Sequence, residues 1–368
     1  MPESLTAEQN ALAEKANQLA QDVMLVPYPT PEKARAAVRE ASKAAGFFTM
    51  TQPAAYGGTE ADQLSLTIVR EALTSHNAPL MDAVFGPSPG VLGGVTNSLR
   101  ESHLEPLLAG EKRSSFGFTE PDNVARPTFG IISDNRLSVT GQKSYVTGGA
   151  EADFVNALVD IEDRGPSMVV LDTNLDGMIL EQKFSSLDGS HHAAFRFENV
   201  EVPTDAIIGE PGKGLPRAMR QIGDTRMLFA ANACGYMIWV LNMLNEHLLA
   251  KDKSGTPRGD KDVVRWHYAN LRIKAYAARS MLYRTARLAD SGENFVNEAM
   301  ACKAFATESI GEIVDTAIQL VGGVALVEGH PLERLYRHVR AWRLAEGASD
   351  VLRLNIGRGI LELGKGRI

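Results

Sequence analysis

One carboxylate stands apart near the C-terminal end of the chain. In RLAEGASDVLRLNIGRG (343–359), Glu346 lies between Ala345 and Gly347. Small neighbours open space around the acid rather than covering it. A glutamate held there away from water gains proton affinity and can act as a general base. The competing reading is ordinary surface charge, or a partner for the dipole of the helix that follows. That helix is expected to start with Ser349 as its cap and Asp350 at its positive end. Val351, Leu352, Leu354, Ile356, Ile360 and Leu361 give it apolar spacing.

Other segments carry residue types that do chemistry elsewhere. GEPGKG (209–214) lacks the spacing and the Ser/Thr of a phosphate loop, and reads as a linker into a helix. His191 and His192 are adjacent, so on a strand they face opposite sides. No further metal-ligand spacing accompanies them, and no metal site is expected. DGS (188–190) lacks the flanking glycines of a nucleophile elbow. The glycine pair in IQLVGGVAL (318–326) reads first as a helix stop. Its other use is bare backbone that a phosphate or flavin can approach closely.

The elements that must position these residues fall into three zones. Residues 1–112 are helical. LTAEQ carries a capping box, Thr6 with Gln9, and PEKARAAVREASKAAG starts on a proline and stops at Gly46. A third helix lies in EADQLSLTIVREALTS, and Gly and Pro break the helical segments that follow it. Residues 113–213 hold short alternating runs separated by turns, which predicts a small β barrel or sandwich. Residues 214–368 hold long helical stretches near 215–249, 260–290 and 294–321, the pattern of a helix bundle. The expected fold is therefore mainly α with a central β domain.

Composition bounds the partners. The 368 residues carry a net charge of -7, with 44% hydrophobic and 23% charged residues, as in soluble globular proteins. No long basic run is present, and no nucleic-acid partner is expected. The N-terminal stretch has acids and no apolar core, so no secretory leader is expected, and no apolar run is expected to span a membrane. Cys234 and Cys302 sit in apolar helical surroundings and read as reduced core residues. A cytoplasmic location is the expectation.

The order of zones and a series of motifs resemble the acyl-CoA dehydrogenase family over nearly the whole chain. GFFTMTQPAAYGG, LEPLLAGEKRSSFGFTEPD, GQKSYVTGGAEADF, FRFENVEVP and the stretch from IQLVGG to RLAEG occur in the family's order. The resemblance implies an N-terminal helical domain, a middle β domain and a C-terminal four-helix bundle. It implies FAD as cofactor and an acyl-CoA thioester as substrate, dehydrogenated to the enoyl-CoA in lipid metabolism such as β-oxidation. Glu346 would take the α-proton while the β-hydrogen leaves as hydride to flavin N5. The thioester oxygen would be stabilised by the main-chain N–H of the base and a ribityl hydroxyl.

Further roles carry over by position. Phe118, Thr119, Tyr145, Val146 and Thr147 would meet the flavin ring. Gln319, Gly322 and Gly323 would approach the ADP half of FAD in a neighbouring subunit, and Ala348 and Ser349 would lie by its phosphates. Asp224, Arg226, Gly347 and Arg358 match the acyl-CoA site. Electron-transferring flavoprotein would reoxidise the flavin, and the working state would be a dimer or tetramer, homo- or hetero-oligomeric.

Four departures from the family's pattern stand out. Ala125 replaces the serine that helps hold the thioester. KDKSG replaces an Arg-x-x-Phe-Gly segment, so Lys251 stands for an arginine that reaches a partner's FAD and loses its planar fork. Tyr145 replaces a tryptophan. His338 and Ala345 replace an acid and an aromatic, which would widen the pocket floor toward a bulky, branched or ring-bearing acyl group. The altered segments leave two alternatives: a non-catalytic or half-site subunit of a mixed oligomer, and a flavin oxidase or monooxygenase on the same scaffold.

Overall fold

A computed structural model describes residues 4–367. Helix α1 (Ala7–Leu19) opens with the expected capping box: the Thr6 hydroxyl accepts from the Gln9 N–H, and the Gln9 amide oxygen accepts from the Thr6 N–H. Helix α2 (Pro31–Ala45) ends at Gly46, whose φ of +80° suits a left-handed stop. Helix α3 (Gln63–Thr74) is capped by Asp62, and the Asp290 carboxylate accepts from the Gln63 and Leu64 N–H groups. A short α4 (Glu105–Ala109) precedes the β zone.

Seven strands follow: β1 (Ser114–Gly117), β2 (Phe129–Ser133), β3 (Arg136–Thr147), β4 (Phe154–Ile161), β5 (Gly165–Asp172), β6 (Met178–Ser185) and β7 (His191–Pro203). They form one sheet in the order β1-β4-β2-β3-β7-β6, with β5 on the far side of β4. The stretch RLSVTGQKSYVT is one unbroken twelve-residue strand rather than a pair of short runs. Strand β6 is not legible in the sequence, because MILEQKFS is exposed or half-exposed along its whole length and shows no alternation.

The long helices are α5 (Gly214–Leu249), α6 (Asp262–Asp290) and α7 (Val296–Val321), followed by α8 (Pro331–Trp342) and α9 (Ser349–Leu361). Ser349 is not the cap of α9. Ala348 holds that position, and the Ser349 hydroxyl turns back toward the Arg343 carbonyl. The expectation that no apolar run reaches membrane-spanning length also needs correction. By length and composition α5 qualifies, with a mean hydropathy of 1.5 in its most apolar window, yet 61% of that window is buried inside the protein. Its Met227, Ala230, Cys234, Met237, Val240 and Leu244 form the centre of the bundle core, so the hydropathy reports tight helix packing.

By packing, the chain falls into two compact units: residues 1–50, 61–85 and 223–368, and residues 51–60 and 86–222. The first has a core of α3 and α5–α8, and a second cluster that joins α1, α2 and α3. Within it, Glu71 of α3 accepts two bonds from the Arg279 guanidinium, at 3.0 and 2.8 Å, and one from the Tyr283 hydroxyl. Gly235 of α5 lies so close to α3 that a Cβ there would stand 1.9 Å from the Thr74 hydroxyl. The second unit has a sheet core around Leu137, Val155, Ala157, Phe195 and Phe197, and a cluster that packs Val91, Leu92 and Leu104 on Phe154 and Met168.

Candidate active site

Glu346 sits in the turn between α8 and α9, with φ of +52°, and Gly347 follows at +100°. Two successive left-handed residues are costly, about 1–2 kcal/mol for the one with a side chain. The turn is held by two buried cations from different helices. Arg226 of α5 donates Nε–H to the Glu346 carbonyl at 3.1 Å. Lys303 of α7, fully buried, donates from Nζ to the Gly347 carbonyl at 2.8 Å. No acceptor from the described residues meets the main-chain N–H groups of Glu346, Gly347 and Ala348.

Electrostatics follow from this packing. Burial pushes the Glu346 carboxyl above its ordinary value, against the pull of Arg226 and then Lys303. Burial also lowers the Arg226 guanidinium, with Glu346 opposing. Lys303 is lowered to about 8, by burial first and then by Arg226, while Glu346 and Glu308 pull it upward. The result is a carboxylate of raised proton affinity beside two positive charges, a group suited to take a proton and hold it briefly.

Aromatic rings cluster where α8 packs on α5. Trp342, four residues before Glu346, lies 5.4 Å from Phe229, 5.9 Å from Tyr236 and 4.9 Å from His338 by ring centroid. Phe229 is three residues beyond Arg226 on α5, hence on a neighbouring face. His338, read in the sequence as a replaced acid, is part of this cluster.

In the sheet unit, a β-bulge shapes the part of β3 that carries Tyr145, Val146 and Thr147, three of the expected flavin-facing residues. Between Lys143 and Val146, β3 has one residue more than β7. Tyr145 sits in that bulge with φ of +53° and is 62% exposed, its ring 5.2 Å from Phe184 and 6.0 Å from His192. Such a bulge re-aims a side chain out of the strand's alternation. The Val146 side chain is buried in the sheet core, so it has only backbone to offer a ligand. The Thr147 hydroxyl lies 3.1 Å from His192 Nδ1, and the Thr119 carbonyl accepts from the Ser144 N–H. Phe118 is half-buried and stacks with Phe116.

An ion pair that the sequence reading missed holds these pieces in place. Lys143 is buried, and its Nζ lies 2.6 Å from the carboxylate of Glu120, the acid of FTEP. Glu120 also accepts the Thr128 N–H. Burial raises the Glu120 carboxyl, but the Lys143 and Thr128 hydrogen bonds leave it below its ordinary value. Both residues lie inside the quoted motifs, so the signal was present but not used.

The remaining candidates are dispersed. Gln319 and Gly323 are exposed, and open space lies where a side chain would begin at Gly322 and Gly323. Ser349 is buried, and its N–H reaches the Arg343 carbonyl. Asp224 is exposed and acts on the buried Arg70. Lys251 is exposed in a self-contained turn where Arg258 donates to its carbonyl. Ala125 is exposed in the loop after FTEP. Arg358 pairs with Glu362 at 3.5 Å and lines a cavity with Asn294, Asn297 and Asn355, whose lining does not include Glu346.

Comparison with known proteins agrees with this picture. Residues 6–111 match the acyl-CoA dehydrogenase N-terminal domain, and residues 212–361 match the acyl-CoA dehydrogenase C-terminal domain. The chain is 29% identical over 334 residues to a 3-(aryl)acrylate reductase of Clostridium sporogenes, covering 86% of this chain and 88% of that protein. It is 28% identical over 339 residues to the mitochondrial short-chain specific acyl-CoA dehydrogenase of Homo sapiens, covering 86% and 80%. The structure of butyryl-CoA dehydrogenase from Megasphaera elsdenii superposes with a TM-score of 0.81 at 23% identity, covering 98% of this chain and 99% of that one. The chain belongs to the acyl-CoA dehydrogenase family, flavin-dependent oxidoreductases.

Proposed function

We propose that this protein dehydrogenates an acyl-CoA thioester across its α and β carbons, with FAD as cofactor and Glu346 as the α-proton base. The observation that carries the reading is the Glu346 carboxyl itself. Its proton affinity is raised by burial, and its turn is held by Arg226 and Lys303. A Glu346 carboxylate oxygen takes the α-proton, and the Glu346 N–H, free of any acceptor among the described residues, stabilises the thioester oxygen as it gains negative charge. Bound FAD supplies the two-electron acceptor. The residues fit it: the exposed Tyr145 ring is a flat surface, Thr119 and Thr147 carry hydroxyls, and Gly322 and Gly323 leave open backbone.

The test is Glu346→Gln in the flavin-loaded protein. Enoyl-CoA formation falls about 10²- to 10⁴-fold, the usual contribution of a general base, while the bound flavin is retained. Undiminished turnover would sink the reading. A chain purified alone that is yellow, is bleached by an acyl-CoA and does not consume oxygen also rejects the non-catalytic subunit and the oxidase.

A bulky, branched or ring-bearing acyl group is part of this proposal. Ala345, where the family carries an aromatic, leaves width beside Glu346. The aryl substrate named for one relative agrees with this. Turnover on short straight acyl-CoAs at rates matching or exceeding those on bulky or cyclic ones would reject it. Reduced flavin needs an external acceptor, and we assign that role to electron-transferring flavoprotein. Exposed Val263, Trp266, Ile273 and Tyr276 recur along α6 at spacings of three and seven, which supports a dimer or tetramer. The buried free cysteines agree with a reducing, cytoplasmic location.

A further inference from the structure

Lys303 has no role in the family signature quoted above, yet it is among the most deeply buried cations of the chain. It lies on α7 among Met300, Ala304 and Leu352, an apolar cluster under the turn. A lysine in such a place needs a reason, because Lys is almost never fully buried unless paired. Here its partner is a backbone carbonyl next to the proposed base, and not a carboxylate. We propose that Lys303 is a positioning residue for Glu346, clamping the Gly347 carbonyl so that the turn keeps the carboxylate aimed at the substrate.

The geometry gives the mechanism. Peptide planarity sets each N–H opposite the carbonyl of the preceding residue. With the Glu346 carbonyl drawn to Arg226 and the Gly347 carbonyl drawn to Lys303, the Gly347 N–H must point away from Arg226 and the Ala348 N–H away from Lys303. These N–H groups meet no acceptor among the described residues. The two clamps act on consecutive left-handed residues, where the backbone would otherwise relax. The position suits glycine: a Cβ there would stand 2.9 Å from Leu352 Cδ2 and 3.6 Å from Arg226 Nη2.

Lys303 also acts by its charge. The charged groups that face it are Arg226 of α5, Glu346 of the turn and Glu308 of its own helix. Glu308 is already tied to Arg353 of α9 at 2.6 Å. Lys303 therefore restrains the rise in Glu346 proton affinity that burial causes. Arg226 alone would leave the carboxyl protonated to a higher pH.

Two variants separate the effects. Lys303→Gln keeps a donor for the Gly347 carbonyl and removes the charge; Lys303→Met removes both. One readout is the titration of the Glu346 carboxyl in the intact protein, followed as the infrared carbonyl band that Glu346→Gln abolishes. The second is the acid limb of kcat/KM. We expect both variants to move the band and the limb up by about half a pH unit or more. Lys303→Met should also lower kcat about tenfold or more, with KM within about threefold and Lys303→Gln less affected. An unmoved band in both variants overturns the proposal. Should Lys303→Met not fold, Lys303→Gln decides alone, and failure of both to fold assigns Lys303 to the core and overturns it too. The inference rests on Glu346 as base, but the infrared arm needs no substrate. A shifted band with an inert acyl-CoA panel would count against the functional reading and leave this one standing.

Discussion

The buried pair Glu120–Lys143 allows an asymmetric prediction. The Lys143 side chain is 1% exposed and Glu120 is 20% exposed, with 2.6 Å between the charged atoms. Glu120→Ala leaves an ammonium in the sheet interior with the Phe118 carbonyl at 3.4 Å as its remaining contact. Breaking a buried pair in this way costs about 3–5 kcal/mol. Lys143 can escape part of that by releasing its proton, since burial already lowers its proton affinity despite Glu120, so the lower end is expected. Lys143→Met instead leaves a carboxylate that reaches water and still accepts the Thr128 N–H, and should cost about 1–2 kcal/mol. The assay is equilibrium denaturation of both variants across pH. In Glu120→Ala the folded state binds fewer protons than the unfolded state between the lowered Lys143 value and its ordinary 10.5. Stability therefore rises with pH across that window, and the deficit is greatest below it. Equal costs, a larger cost for Lys143→Met, or a Glu120→Ala deficit that grows with pH would refute the reasoning.

Other outcomes follow from particular contacts. Gly235→Ala should destabilise the helical unit by about 1–3 kcal/mol, because the new methyl meets the Thr74 hydroxyl at 1.9 Å and the Glu71 carbonyl at 2.5 Å; thermal melting checks it. The acid limb of kcat/KM should lie above the ordinary glutamate value of 4.5, since burial raises Glu346 and activity requires its carboxylate. Arg226→Met removes an opposing charge, so the same limb should move to still higher pH; a fall would contradict the assignment.

Much of the fold was readable before any coordinates. The capping box of Thr6 and Gln9, the stop at Gly46 and the three long helices all rest on signals within a few residues. Strand β6 escaped notice because neither face is buried, so no alternation was imposed on it. Ser349 looked like a cap by residue type. The turn instead drew its N–H and hydroxyl back to Arg343, and the helix began one residue earlier than a serine cap requires. Of the site, Glu346, Arg226 and Tyr145 were legible from motifs, whereas Lys303, Glu120 and Lys143 were not singled out. A single lysine within AMACKAFATE carries no local mark of its partner.

What the chain order alone determined is the succession of helical, β and helical zones and the place of the acid between two small residues. Those properties follow from local periodicity and from glycine and proline stops. Tertiary structure decided the chemistry of that acid. Arg226 reaches the turn from 120 positions away and Lys303 from 44, and burial by the surrounding helices raises the proton affinity of Glu346. Desolvation and charge pairing depend on distance in space, which residues near Glu346 in sequence do not encode.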